Sequence, residues 1–165
     1  MKNFDIIQKK ILNPESLAAT LTLWRFQQKK IVFTNGCFDL LHLGHIDYLS
    51  KAKDCGDVLV VGVNTDRSVK MLGKGSNRPI TNENARAILI AALHFVDAVF
   101  LFDEKTPYEL IKTVQPDVLV KGSDYQPEEI VGNDIVRKKG GTIMTIDFLQ
   151  GYSTTAIVKK INEKK

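Results

Sequence analysis

Thr34-Asn35-Gly36-Cys37-Phe38-Asp39-Leu40-Leu41-His42-Leu43-Gly44-His45-Ile46 follows the apolar run Ile31-Val32-Phe33 and opens an amphipathic stretch near Gly44. The pattern reads as strand, turn and helix, with Gly36 in the turn and two histidines at the start of the helix. A helix N-terminus carries unpaired N–H groups and partial positive charge, which suits a phosphate. His42 and His45 are three residues apart, so both imidazoles fall on one side of the first turn. Gly44 between them removes a side chain that would crowd an approaching ligand. One histidine near a helix start is ordinarily a surface or packing residue. Two flanking a glycine, directly after a strand and a glycine turn, read as a phosphate site.

Four more apolar runs rich in Val, Ile and Phe follow at regular intervals: Val58–Val63, Ala98–Leu101, Val118–Val120 and Thr142–Ile146. Continuous rather than alternating apolar character predicts strands covered on both faces. Helical patterns lie between them at His45–Lys53, Asp66–Met71, Asn82–Leu93, Pro107–Val114 and Glu129–Lys138. The alternation predicts a single Rossmann-like, doubly wound α/β domain: a five-stranded parallel sheet with helices on both faces. Its ligand crevice then lies beyond the carboxyl ends of the strands. Asn13-Pro14-Glu15 reads as a cap with Pro at the first helical position, giving a helix from Pro14 to about Gln27. Residues 1–29 are therefore expected as an N-terminal helical extension and residues 30–165 as the domain proper. Ser153 or Thr154 is expected to cap a last helix, Thr155 to Ile161.

Other chemistry-bearing segments fall on the same end of the predicted sheet. Asn64 and Asp66 close the second strand as candidate substrate contacts, with Asp66 read equally as a helix cap. Gly73-Lys74-Gly75-Ser76-Asn77 reads as an active-site loop. Lys74, Arg78 and Arg86 supply cations around it; singly each reads as solvated surface, except that Arg78, lodged before Pro79, reads as a phosphate or substrate contact. Lys121 and Gly122 follow the fourth strand as a ligand cation and a point of close backbone approach. Asp124 reads as either a substrate contact or a turn residue. Ser153, Thr154 and Thr155 open the last helix as a second anion cradle. His94 and Trp24 read as structural.

The 165 residues suffice for one domain with a proper core. Apolar content of 44% and charged content of 25% indicate a globular chain rather than a disordered one. The net charge of +4 suits a polyanionic small substrate, and lysines near the ends, Lys164 and Lys165 among them, are expected to be solvated. No basic stripe interleaved with aromatics accompanies it, so nucleic-acid binding is not expected. The two cysteines, Cys37 and Cys55, form no metal-ligand spacing and read as reduced thiols. No apolar stretch approaches a membrane span and the N-terminus is polar, so no membrane association or signal peptide is expected and the location is expected to be cytoplasmic.

With these segments assembled, the run from Lys30 to Ile161 resembles the cytidylyltransferase-like family of nucleotidyltransferases, whose signature is His-x-Gly-His. That signature marks a broad superfamily. The branch most similar is the heptose adenylyltransferases, through Phe33–Asp39, Asn77-Arg78-Pro79-Ile80, Val96-Asp97-Ala98-Val99 with Leu101-Phe102-Asp103-Glu104, Gln115–Gly122 and Gly151-Tyr152-Ser153-Thr154-Thr155. Family members that use CTP carry Arg-Thr-x-Gly-Ile-Ser-Thr-Thr where this chain has Phe148-Leu149-Gln150-Gly151-Tyr152-Ser153-Thr154-Thr155, so the resemblance favours ATP. It implies transfer of AMP from ATP to a sugar 1-phosphate of the heptose type, with release of pyrophosphate. CTP with glycerol or choline phosphate, and a non-catalytic nucleotide-binding module, stay open as alternatives.

The same resemblance implies catalytic roles for His42, His45 and, more weakly, Lys51. It implies nucleotide contacts along Thr34, Asn35, Gly36, Cys37, Phe38 and Asp39, and at Gly44, Lys121, Ser153, Thr154 and Thr155. Mg²⁺ is expected to be held mainly by phosphate oxygens and water, with no protein ligand assigned beyond Asp39 as a candidate. A homodimer is expected. The sugar kinase often fused to such a domain is expected to act as a separate protein that supplies the acceptor. The acceptor's phosphate monoester is already mostly dianionic near neutral pH, with a second pKa of about 6, so attack on the α-phosphorus needs no general base.

Overall fold

β-branched and aromatic runs form the sheet in the computed structural model, which describes residues 2–73, 75 and 77–163. Lys74 and Ser76 of the glycine loop, and Lys164 and Lys165, lie outside the described residues. The strands are β1 (Ile31–Gly36), β2 (Val58–Asn64), β3 (Ala98–Phe102), β4 (Val118–Gly122) and β5 (Thr142–Ile146). They pair in the order β3-β2-β1-β4-β5, all parallel. This is the doubly wound α/β arrangement that the pattern predicts.

Successive residues of a strand point to opposite faces. Val32, Leu59, Val61 and Val63 accordingly join one core cluster and Ile31, Phe33, Val58 and Val60 the other. The first cluster takes its cover from α3 (Leu43–Lys53) and α5 (Glu83–Ala91), through Tyr48, Leu49, Ala52, Ala87, Ile90 and Ala91. The second takes it from α2 (Pro14–Phe26), α6 (Tyr108–Val114) and α7 (Asn133–Lys138). The remaining helices are α1 (Asn3–Gln8), α4 (Asp66–Met71) and α8 (Thr154–Asn162). Between β1 and β4 the chain reverses its direction of winding. The crevice at the carboxyl ends of those two strands is where this topology holds ligands.

Three features depart from the sequence pattern. Residues 1–29 hold two helices instead of one. Between them, Ile11 bridges Val99 on the free edge of β3, with Leu12 N–H donating to Val99 O at 2.9 Å and Val99 N–H to Lys10 O at 2.8 Å. Leu17 and Leu21 of α2, each 1% exposed, enter the second cluster, and Trp24 packs against it. The helix expected from Glu129 is a 3-10 turn at Pro127–Glu129, then Gly132 at φ 86° and α7 from Asn133. A Cβ on Gly132 would stand 2.7 Å from the Ile111 side chain, so close packing against α6 breaks the helix there. His94, read as structural, is exposed, its ring edge-on to Phe95.

Candidate active site

The loop after β1 is built on backbone that side chains rarely adopt. Phe38 sits at φ 50° with its ring folded beneath Gly36, where a Cβ would come within 3.0 Å of the phenyl Cζ. Left-handed backbone is costly for a bulky residue and persists only where surroundings impose it. The chain then enters α3 with His42 as its N-cap in extended conformation. The His42 side chain makes no capping bond. Its ring lies flat on that of His45, centroids 3.7 Å apart and 20° from parallel, while the Phe38 ring meets His45 edge-on at 5.2 Å. Gly44 serves this stack: a Cβ there would press on His42 Nδ1 at 3.1 Å and on Tyr152 Cβ at 3.3 Å. What Gly44 makes room for is the imidazole and the loop before α8.

Both Nδ1 atoms are buried without a hydrogen-bond partner. Burial lowers the pKa of His42, and burial together with the neighbouring His42 takes His45 down to about 4. The pair is therefore neutral near pH 7. With Nδ1 enclosed, Nε2 is the nitrogen left for a ligand.

What holds the loop is Arg86. This residue, read from sequence as a solvated cation, is 0% exposed. Its guanidinium donates to Cys37 O at 2.6 Å, to Thr81 O at 3.0 Å and to Asp66 Oδ1 at 2.7 Å. A buried guanidinium needs several acceptors at once, and here they come from three separate segments. Asp66 is thus an ion-pair partner and not the cap of α4; Thr65 caps that helix by accepting from Ser68 N–H at 3.1 Å. Asp39 acts in parallel. Its carboxylate accepts from Arg78 at 2.7 Å, Ile80 N–H at 2.7 Å and Thr81 N–H at 3.0 Å. Burial alone would raise the Asp39 pKa, but Arg78 and the two amides outweigh it and hold it below the ordinary value. Asp39 and Arg78 line the cleft while gripping each other.

The cleft encloses about 750 Å³ at the carboxyl ends of β1 and β4. It brings together Asn35, Gly36, Cys37, Phe38 and Asp39 from the loop, His45 from α3, and Asn64 from β2. Arg78, Lys121, Gly122, Asp124, Thr154 and Thr155 complete the sequence-read residues on its walls. Cys37 Sγ lies 3.7 Å from Asn64 Oδ1, and Asn64 Nδ2 donates to Ser68 Oγ at 2.8 Å. Lys121 Nζ donates to Asn35 Oδ1. Burial lowers its pKa to about 8, against an upward pull from Asp124.

Other sequence-read residues do not reach the walls. Thr34 is buried beneath the loop, its Oγ1 2.8 Å from Tyr48 OH. Lys51 is paired with Asp47 at 2.7 Å on the outer part of α3. Ser153 spends its hydroxyl as the α8 cap, accepting from Ala156 N–H at 3.0 Å. His42, stacked on His45, and Gly44 are not among the residues that line the cleft. Lys105 and Thr106 after β3, Tyr125 after β4, and Phe148 after β5 line the cleft and were not read as site residues. Their signal was position alone: each follows a strand at the ligand end of the sheet. Among the described residues, no cluster of three or more His, Cys, Asp or Glu side chains is arranged to hold a metal ion.

The cytidylyltransferase-like family model matches residues 33–160, nearly all of this architecture. The chain belongs to the cytidylyltransferase-like family. As such it is a nucleotidyltransferase domain. It is 53% identical over 154 residues to the bifunctional protein HldE of Wolinella succinogenes, covering 93% of this chain and 31% of that protein. It is likewise 53% identical over 167 residues to HldE of Campylobacter jejuni subsp. doylei, covering 100% of this chain and 34% of that one. The domain thus spans about a third of the length of these curated relatives. Among solved structures it is similar to a lipopolysaccharide core biosynthesis protein from Thermoplasma volcanium, at TM-score 0.62 and 35% identity, covering 76% of this chain and 99% of that one. Pantoate-beta-alanine ligase from Francisella tularensis shares the fold, at TM-score 0.59 and 21% identity over 93% of this chain and 77% of that one. Among the described residues no helix is long and apolar enough to cross a membrane.

Proposed function

We propose that this nucleotidyltransferase moves AMP from ATP to a heptose 1-phosphate, giving ADP-heptose and pyrophosphate. The observation that carries the reading is the neutral, stacked His42–His45 pair at the N-terminus of α3, beside the N-terminus of α8. Two helix N-termini converging on one spot make a cradle for several phosphates. The matches to HldE and to a lipopolysaccharide core biosynthesis protein support heptose as the acceptor's sugar.

In this reading residues 30–165 carry the chemistry and residues 1–29 support the fold. An oxygen of the acceptor phosphate attacks the α-phosphorus and pyrophosphate leaves on the opposite side. The protein aligns the two phosphates and stabilises charge as it accumulates. His45 donates from Nε2 to the α-phosphate, and His42, stacked flat on it, holds its ring in place. Thr154, Thr155 and the α8 amides hold the leaving pyrophosphate. Lys121 neutralises charge at the switch point. Asn64, Arg78 and Asp124 are the side chains available to the acceptor. Mg²⁺ fits as an ion carried in on the triphosphate, since Asp39 is already bonded to Arg78 and two amides. It would supply charge neutralisation of the leaving group, with Asp124 and Glu129 further carboxylates on the cleft wall.

The acceptor must arrive phosphorylated, so a sugar kinase has to precede this step. The reaction is expected in the cytoplasm. A homodimer is the expected assembly, to be checked by analytical ultracentrifugation. The central test is pyrophosphate release from ATP, CTP, GTP and UTP, each with heptose 1-phosphate, glycerol 3-phosphate, choline phosphate or no acceptor. Release confined to ATP with heptose 1-phosphate is expected. Release only from CTP, or ATP binding without release for any acceptor, would refute the proposal.

A further inference from the structure

Phe148 is oddly placed for a large apolar side chain. It is 51% exposed, yet its position is closely determined. Its ring lies 5.7 Å from that of Tyr48, whose hydroxyl is tied to Thr34. Its edge rests on the backbone of Gly122, the last residue of β4, so closely that a Cβ on Gly122 would come within 2.2 Å of the phenyl Cζ. The glycine is therefore required to seat the ring. One flank is packed and the remainder is open to the cleft that Phe148 helps to line.

The surroundings give the open surface a use. Phe148 belongs to the loop joining β5 to α8, the same loop that ends in Ser153 and the α8 N-terminus. A nucleotide whose phosphates rest at that N-terminus has its nucleoside within the same loop's reach. Tyr125, 50% exposed, is the other half-exposed aromatic on the cleft wall, and it too belongs to the β4–β5 side. On the β2–β3 side the cleft offers the cations Arg78 and Lys105 and the polar Asn64, a wall suited to a phosphorylated sugar.

From this we infer that Phe148, seated on Gly122, is the stacking platform for the nucleobase and favours a purine over a pyrimidine. The inference rests on the nucleotidyltransferase reading above. A purine presents the larger flat surface to an aromatic ring, and stacking of this kind depends on the ring's face more than on its volume.

The test is titration calorimetry of the full chain with ATP and with CTP, in the wild type and in Phe148→Ala, Phe148→Leu, Phe148→Trp and Gly122→Ala. The wild type should bind ATP more tightly than CTP. Phe148→Ala should weaken ATP by roughly 10-fold or more, as expected for a lost base–aromatic stack. It should weaken CTP less, so that the preference narrows. Phe148→Leu keeps the packing against Tyr48 and Gly122 but has no aromatic face; it should behave like Phe148→Ala, whereas Phe148→Trp should restore binding. Gly122→Ala should reproduce the loss by displacing the ring. ATP binding unchanged in Phe148→Ala, or restored equally by Leu and Trp, overturns the platform and leaves the proposed reaction standing. A wild type that binds neither nucleotide overturns both.

Discussion

His45 stands between two rings, His42 flat against one side and Phe38 edge-on, and little freedom remains to it. In its proposed role as donor to the α-phosphate, a group held this firmly needs little reorganisation as charge develops, which is where such a group contributes most. His45→Ala should cut kcat by two or more orders of magnitude while KM for ATP changes far less, since the lost interaction belongs to the transition state. A steady-state comparison settles it, and an unchanged kcat removes His45 from the mechanism. Lys121 should govern the other side of the pH profile. Its pKa, lowered to about 8, means the free enzyme loses this charge as pH rises through that value. kcat/KM should therefore fall on the alkaline side with an apparent pKa near 8. In Lys121→Arg, which keeps its proton throughout, that limb should disappear. His45 should not set the acid limb, because it stays neutral down to about pH 4. The acceptor phosphate, with its second pKa of about 6, should set it instead.

The loop after β1 and the segment from Arg78 to Thr81 form one clasp, closed by Asp39. The Asp39 carboxyl is held below its ordinary value, so the unfolded chain takes up that proton first as pH falls. The clasp thus contributes its full stability above about pH 4, the unfolded carboxyl value, and loses it as pH drops through the lower folded value. Asp39→Asn should destabilise the protein at pH 7 by about 1–3 kcal/mol and flatten the acid limb of its stability curve, as read by urea unfolding across pH. The clasp also marks how far the sequence could be read. Strands buried on both faces announce themselves by continuous Val, Ile and Phe, and the histidine pair by its place after one of them. Arg86 gave no such signal, because its burial depends on acceptors at Cys37, Asp66 and Thr81, which share no local pattern with it. Lys51 is misleading for the complementary reason: it lies farther along the same helix α3 that opens the proposed phosphate site, and has a nearer carboxylate in Asp47.

An all-parallel sheet leaves two outer strands with unpaired backbone, and open edges invite association with other chains. β3 is shielded by the stretch Lys10-Ile11-Leu12, which bonds to Val99 on both its N–H and its C=O, while Ile7 and Ile11 pack on the neighbouring core. Three residues between two helices are too few to show a strand's periodicity, which is why the pattern of the chain does not reveal them. Removing residues 1–12 should lower unfolding free energy by about 2–4 kcal/mol, through lost apolar burial and backbone bonds, and promote self-association measurable by light scattering. A truncated form as stable and as monodisperse as its parent would show the edge needs no shield.

Arg86 has one further consequence, for how the enzyme fails. Its helix lends Ala87, Ile90 and Ala91 to the interior, while its guanidinium grips the carbonyl of Cys37. Loosening of that interior therefore releases the loop after β1 at the same moment, leaving no room for an inactive yet native-looking intermediate. Under rising urea, catalytic rate and far-ultraviolet circular dichroism should decline along a single superimposable curve.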